Sequence, residues 1–172
     1  MAFKHASFLD VSAGLQPNQF TVGERSVVNS LSELPSEYRQ LLDGQVTAVL
    51  AVIGGDGRPN LSPVWFGYSG DRVLLNFAEH RRKTSWIRAN PQVTVMLMNP
   101  ANPYHWLSIK ATVAREIHED GPDGHRATDT IDEMWTKYTG NEPPYGLRDP
   151  SFEERRVLFE CEVDSVATFG RP

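Results

Sequence analysis

Four cations, Arg81, Arg82, Lys83 and Arg88, fall within eight positions of the stretch FAEHRRKTSWIRANPQVTVMLMN, and no acid follows Glu79 before its end. The chain as a whole is acidic, with a formal net charge of −5. Arg81, Arg82 and Lys83 open a short helix, HRRKTSWIRAN, where the helix dipole favours acids and each cation costs a few tenths of a kcal/mol, roughly. An anionic ligand would remove that conflict, because a helix start also offers unpaired backbone N–H groups. A solvated surface helix is the plainer alternative. Trp65, Phe66, Phe77 and Trp106 lie on the neighbouring apolar segments. Aromatic side chains beside an anion site suit a flat ring system with a phosphate tail; ordinary core packing is the competing use of each.

Other chemistry is scarce. GGDGRPN has neither phosphate-loop nor dinucleotide-loop spacing, and no serine sits in a nucleophile elbow. The five histidines are scattered and read as surface or capping residues. Cys161 is the single cysteine, which excludes an intramolecular disulfide and zinc sites built on paired cysteines. It lies in the apolar run VLFECEV and reads as a packed strand residue rather than a nucleophile. The acidic balance argues against general nucleic-acid binding. No run approaches the ~18 apolar residues of a membrane helix, and the start MAFKHASFLDVSAG has no secretory core. A cytoplasmic protein without a membrane segment is expected.

These residues need a scaffold. At 172 residues the chain suits one domain. Residues 1–34 lack a sustained period and read as an N-terminal arm packing on the body or a partner; residues 35–172 read as the folded domain. LPSEYRQLLDG suggests a short helix with Ser36 as N-cap and Gly44 as stop. Residues 45–53, QVTAVLAVI, read as a central strand. The turn GGDGRPN leads to a strand over 61–68, in which Pro63 requires an edge, a bulge or an opening. RVLLNFA, residues 72–78, is a third strand. The basic helix ends at Asn90-Pro91, and QVTVMLMN follows as a fourth. Residues 105–118 form a long fifth strand, with Leu107, Ile109, Ala111 and Val113 on one side. HRATDTIDEMWTKYTG is a helix presenting Ile131, Met134, Trp135 and Tyr138 and stopping at Gly140. A proline-rich loop precedes a sixth strand, RRVLFECEVDSVATFG. Six strands joined mostly by hairpins, with short helices, indicate a small antiparallel barrel.

The segments GRPNLSPVWFGYSGDRVLLNFA, RRKTSWIRANPQVTVMLMN, HWLSIKATVAREIHE, YTGNEPPYG and RRVLFE carry a resemblance. In order and spacing they resemble the flavin- and deazaflavin-dependent split-barrel superfamily that includes the pyridoxamine phosphate oxidases. The likeness runs from about residue 37 to 169. Within it the chain is most similar to reductases using the deazaflavin coenzyme F420. The shared landmarks are Arg81 and Lys83, Asn90-Pro91, and the segment from Tyr138 to Pro143. It departs at Ser85 and Trp86, where the helix usually carries a basic residue and an asparagine, and at Ala111, where glycine is common.

The resemblance implies a six-stranded split β-barrel with peripheral helices, and a homodimer with a cofactor site in each cleft. Arg81, Arg82 and Lys83 would take the phosphate of the tail. Ser62, Pro63, Val64, Trp65 and Phe66 would run along the ring through backbone groups, with Asn76, Phe77 and Ala78 completing the wall and Trp106 facing the ring. The implied reaction is hydride transfer from reduced F420 to an unsaturated or electron-poor small molecule, with a proton from solvent or from a tyrosine such as Tyr104. An FMN-dependent oxidase or reductase of the same fold is the first alternative, and a non-catalytic flavin- or haem-binding protein the second.

Overall fold

Alternating apolar residues on β7 (Gln92–Asn99) and β8 (Asn102–His118) place Val93, Val95, Leu97, Leu107, Ile109 and Ala111 on one face of a sheet, where all six are buried. The structure, a computed structural model, describes residues 1–8 and 22–172. The other strands are β1 (Phe3–Phe8), β2 (Val22–Val28), β3 (Ala48–Ile53), β4 (Pro59–Val64), β5 (Gly67–Ser69), β6 (Arg72–Ala78) and β9 (Arg156–Phe169). The main path runs β2-β1-β9-β8-β7-β3-β4, and β6 pairs with both β5 and β9.

The class is mainly β, as expected, but among the described residues the sheet has nine strands rather than six. Two of the additional strands come from the N-terminal arm: β1 runs parallel to the end of β9, with β2 antiparallel beside it. Phe3 and Val28 thereby join the main core cluster. The third comes from breaking the strand expected over 61–68. The chain leaves the ladder at Trp65 and Phe66, turning Phe66 into the core, where it is fully buried. The Phe66 N–H then donates to the Tyr138 hydroxyl at 3.4 Å in place of a ladder partner. Pro63 lies on β4, at one end of the path, where a missing N–H is tolerated.

The sheet curls without closing, because β9 changes partners along its length. Residues 156–162 face β6, and residues 165–169 face β1, while β8 follows the whole strand through two register shifts. Burial of large side chains such as Leu50, Leu75, Leu97, Ile109 and Phe159 holds the curl, each contributing about 1.5–3 kcal/mol.

Helix α1 (Ser36–Asp43) starts one residue earlier than Ser36 capping would require. Pro35 occupies the cap without a side-chain bond, and Gly44 ends the helix. Helix α2 (Arg82–Ala89) bridges β6 and β7, and α3 (His125–Thr139) stops at Gly140, whose φ of 74° only glycine adopts without strain. Two histidines are not surface residues. His5 is buried between Ser26 and Thr168, and His105 is buried against Tyr38. Cys161 is buried in β9, and burial pushes its thiol up to about 12. No helix among the described residues is long and apolar enough to cross a membrane.

Candidate functional site

Strand β4 brings Ser62 to the start of α2, where Lys83 Nζ donates to Ser62 Oγ at 2.7 Å and stands 5.1 Å from the centre of the Phe77 ring. Burial, and then the nearby Arg81, holds the Lys83 ammonium below its ordinary pKa. Among the described residues, Arg81, Arg82 and Lys83 form no ion pair. The contrast lies one turn along the same helix. Arg88 is bound by Glu116 at 2.6 Å and Glu79 at 3.0 Å, so it is a paired surface residue. The first turn of α2 contains no acid, and Arg81 caps it without a side-chain bond. The start of α2 therefore offers first-turn backbone N–H groups and three cations that form no ion pair among the described residues, a positive potential that suits an anion.

The loop over residues 141–155 covers this region. His80 meets the Phe152 ring edge-on at 4.9 Å. Asp149, in the same loop, is held below the usual carboxylate range chiefly by the Ser151 hydroxyl and N–H, with weaker help from His80 and Arg81.

The expected ring-contacting residues separate into groups. Ser62 and Lys83 are together, Pro63 is exposed and Val64 is buried. Trp65 is half-buried and lies parallel to Tyr138 at 5.2 Å, inside a cluster with Trp135 and Tyr145. Phe66 and Phe77 are core residues, 0% and 7% exposed, rather than an open aromatic wall. Their side chains pack against the sheet, which leaves the backbone contact expected of Phe66 untouched.

Asn76 is buried and occupied: its amide donates to the Ala127 carbonyl at 2.7 Å and accepts from Arg156 Nε at 2.9 Å. Ala78 contributes its carbonyl, which accepts from the Arg81 N–H at 3.1 Å and so sets where α2 begins. Trp106 is not brought to this group within one chain. It stacks on Phe169 at 5.6 Å, and β7 and β3 lie between its strand and β4. Tyr104 is 68% exposed beside it.

Two features escape a reading of the sequence. Arg156 is buried and joined to Glu154 at 2.8 Å, with its guanidinium 5.0 Å from the Tyr145 ring. This anchors the covering loop to β6 and β9, and Arg148, bridging Glu119 and the Glu154 carbonyl, reinforces it. The second is the wall of Trp65, Trp135, Tyr138 and Tyr145, fixed by hydrogen bonds from Trp135 Nε1 to the Glu142 carbonyl and from the Tyr138 hydroxyl to the Val46 carbonyl. Helical spacing flagged Trp135 and Tyr138; nothing local ties Trp65 or Tyr145 to them.

A family model described as pyridoxamine 5'-phosphate oxidase matches residues 34–169. No curated protein matches. Among solved structures, one described as an F420 reductase superposes with a TM-score of 0.62 at 23% identity, covering 77% of this chain and 98% of its own. A conserved hypothetical protein from Mycobacterium tuberculosis gives 0.56 at 20% identity, covering 83% and 85%. The haem storage protein of Vibrio cholerae gives 0.56 at 14% identity, covering 77% and 92%. At these identities the likenesses speak to the fold.

Proposed function

The chain belongs to the pyridoxamine 5'-phosphate oxidase family, and from that premise we propose that it is an oxidoreductase that binds coenzyme F420 through Arg81, Arg82 and Lys83. The observation that carries this reading is the unpaired state of those three cations beside the paired Arg88. A helix that neutralises one arginine and leaves three cations at its start is built for an anion. Lys83, propped on Ser62, would meet the phosphate of the tail, with the first-turn N–H groups of α2 beside it.

The cofactor would supply the hydride chemistry, and the protein would bind, orient and exclude water. The half-buried wall of Trp65, Trp135, Tyr138 and Tyr145 offers rigid apolar surface to a planar, electron-poor substrate. No acid–base dyad is required of the chain in such a transfer. FMN is the second reading, since one phosphate satisfies the same cations. Trp106 would serve a ring only from a second copy, which makes the proposed assembly a homodimer.

A side-by-side titration of the purified protein with F420 and FMN, followed by absorbance and fluorescence, tests the proposal. Preference for F420, with turnover of enones or quinones by its reduced form, is the expected result. Binding of FMN alone would move the assignment to the second reading; binding of neither would overturn both.

A further inference from the structure

Lys137, on α3, lines a hollow of about 220 Å³ that α3 shares with the end of α1 and with β5. The lining is apolar and buried at Leu42, Phe66 and Met134, and it carries two exposed acids, Asp43 and Glu133. The amine itself touches neutral groups. Nζ donates to the Leu42 carbonyl at 2.6 Å, and it lies 4.8 Å from the centre of the Phe66 ring and 5.2 Å from that of Tyr138. Among the described residues Lys137 forms no ion pair. Burial holds its ammonium below the ordinary lysine range, and the charge of Asp43 opposes this only in part. The other lysines of the chain differ: Lys4 and Lys110 are exposed on strands, and Lys83 is hydrogen-bonded to Ser62 at the start of α2.

We propose that Lys137 is a modification site, acylated by small acyl thioesters, and that the acyl group settles in this hollow. The inference is independent of which cofactor the chain binds. The step is an acyl transfer in which nothing is oxidised or reduced. Nζ, as the free amine, attacks the thioester carbonyl carbon; the C–N bond forms, the C–S bond breaks, and the departing thiolate takes up, through solvent, the proton that the amine gives away. Desolvation favours the free amine, which is the nucleophilic form, and no bridging carboxylate restores the charge. The amide product keeps one N–H for the Leu42 carbonyl, while its acyl carbons cover Leu42, Phe66 and Met134 in place of water. Asp43 and Glu133 repel a second carboxylate, so the hollow selects uncharged acyl groups over those that end in one.

The test treats the native protein with N-acetylcysteamine thioesters carrying an acetyl, a butyryl or a succinyl group, and follows each lysine by peptide mapping in a mass spectrometer. Lys4 and Lys110 are internal references for exposed amines, so the rate at Lys137 is read as a ratio to theirs. At neutral pH the acetyl and butyryl esters should modify Lys137 several-fold faster than either reference. That advantage should shrink as the pH is raised towards the ordinary lysine value of about 10.4, where every amine is largely free. It should also vanish in urea, where the hollow no longer exists. The succinyl ester should show a clearly lower ratio than the acetyl ester. Modification of Lys137 no faster than that of Lys4 and Lys110 at neutral pH, or an advantage that persists in urea, would overturn the site. Equal ratios for succinyl and acetyl would place the acyl group in solvent and overturn the role of the hollow.

Discussion

Lys83 Nζ rests 2.7 Å from the Ser62 hydroxyl, an uncharged partner, and the charge acting on it is that of Arg81, another cation. Such an arrangement is unfavourable until an anion arrives. Burial disfavours the ammonium and repulsion adds to that, so binding of a phosphate relieves both at once.

Lys83→Ala is therefore expected to weaken binding of a phosphate-bearing cofactor by ~1–3 kcal/mol while leaving urea stability nearly unchanged. Added salt should narrow the gap between variant and wild type, because the screened contact exists only in the latter. Equal affinity of the two proteins in a titration would return α2 to an ordinary surface helix.

Glu154→Gln should be far more damaging to the fold than any change at Lys83. It removes the carboxylate from Arg156, a guanidinium only 7% exposed, and breaking a buried pair costs ~3–5 kcal/mol. Urea unfolding measures the loss directly. A loss under about 1 kcal/mol would mean that water reaches Arg156 beneath the loop.

His105 makes stability depend on pH. Burial holds its pKa below 6.5, opposed only in part by the Glu37 backbone and carboxylate, and Nε2 makes no well-aligned hydrogen bond. The unfolded chain then binds a proton that the folded chain refuses. Stability is fully present above 6.5 and is lost as pH falls below it, levelling off once the folded form also protonates. The urea midpoint should drop between pH 7.5 and 5, and His105→Gln should flatten that part of the profile. An unchanged slope in the variant would assign the acid sensitivity to other groups.

Cys161 should resist thiol reagents in the folded protein at neutral pH. Its thiol is buried and pushed up to about 12, whereas the thiolate is the reactive form. Labelling should appear only with unfolding in urea. Prompt native-state labelling would show that β9 opens locally.

Light scattering is expected to give twice the chain mass at micromolar concentration. Strand order keeps Trp106 away from β4 within one chain, and Leu61 on that edge strand is 65% exposed. A monomer would remove the proposed role of Trp106 in the site.

Much of the architecture was legible because strands announce themselves by period two. Val93, Val95 and Leu97 alternate with outward residues, and Leu107, Ile109 and Ala111 do the same. Glycine stops and the Asn90-Pro91 break bounded the helices equally well. The N-terminal strands were less legible. They are short additions to the edge of β9, and their pairing is specified by a partner some 160 residues away rather than by a local pattern, as with His5 and Val166.

At the site the division follows the range of the forces involved. Sequence alone determined the cluster of cations on α2, because helix position and charge are local properties, and it determined the apolar strands that hold that helix. Which cations are free was decided by tertiary structure. Arg88 is neutralised by Glu116 on β8, while Lys83 meets the Ser62 hydroxyl on β4 and the Phe77 ring on β6, neither of them charged. Tertiary structure also sent Phe66 and Phe77 into the core, occupied Asn76 with Arg156, and set Trp65 against Tyr138. A charge or an aromatic ring is written in the chain, but its partner, its burial and hence its availability to a ligand exist only after distant strands have met.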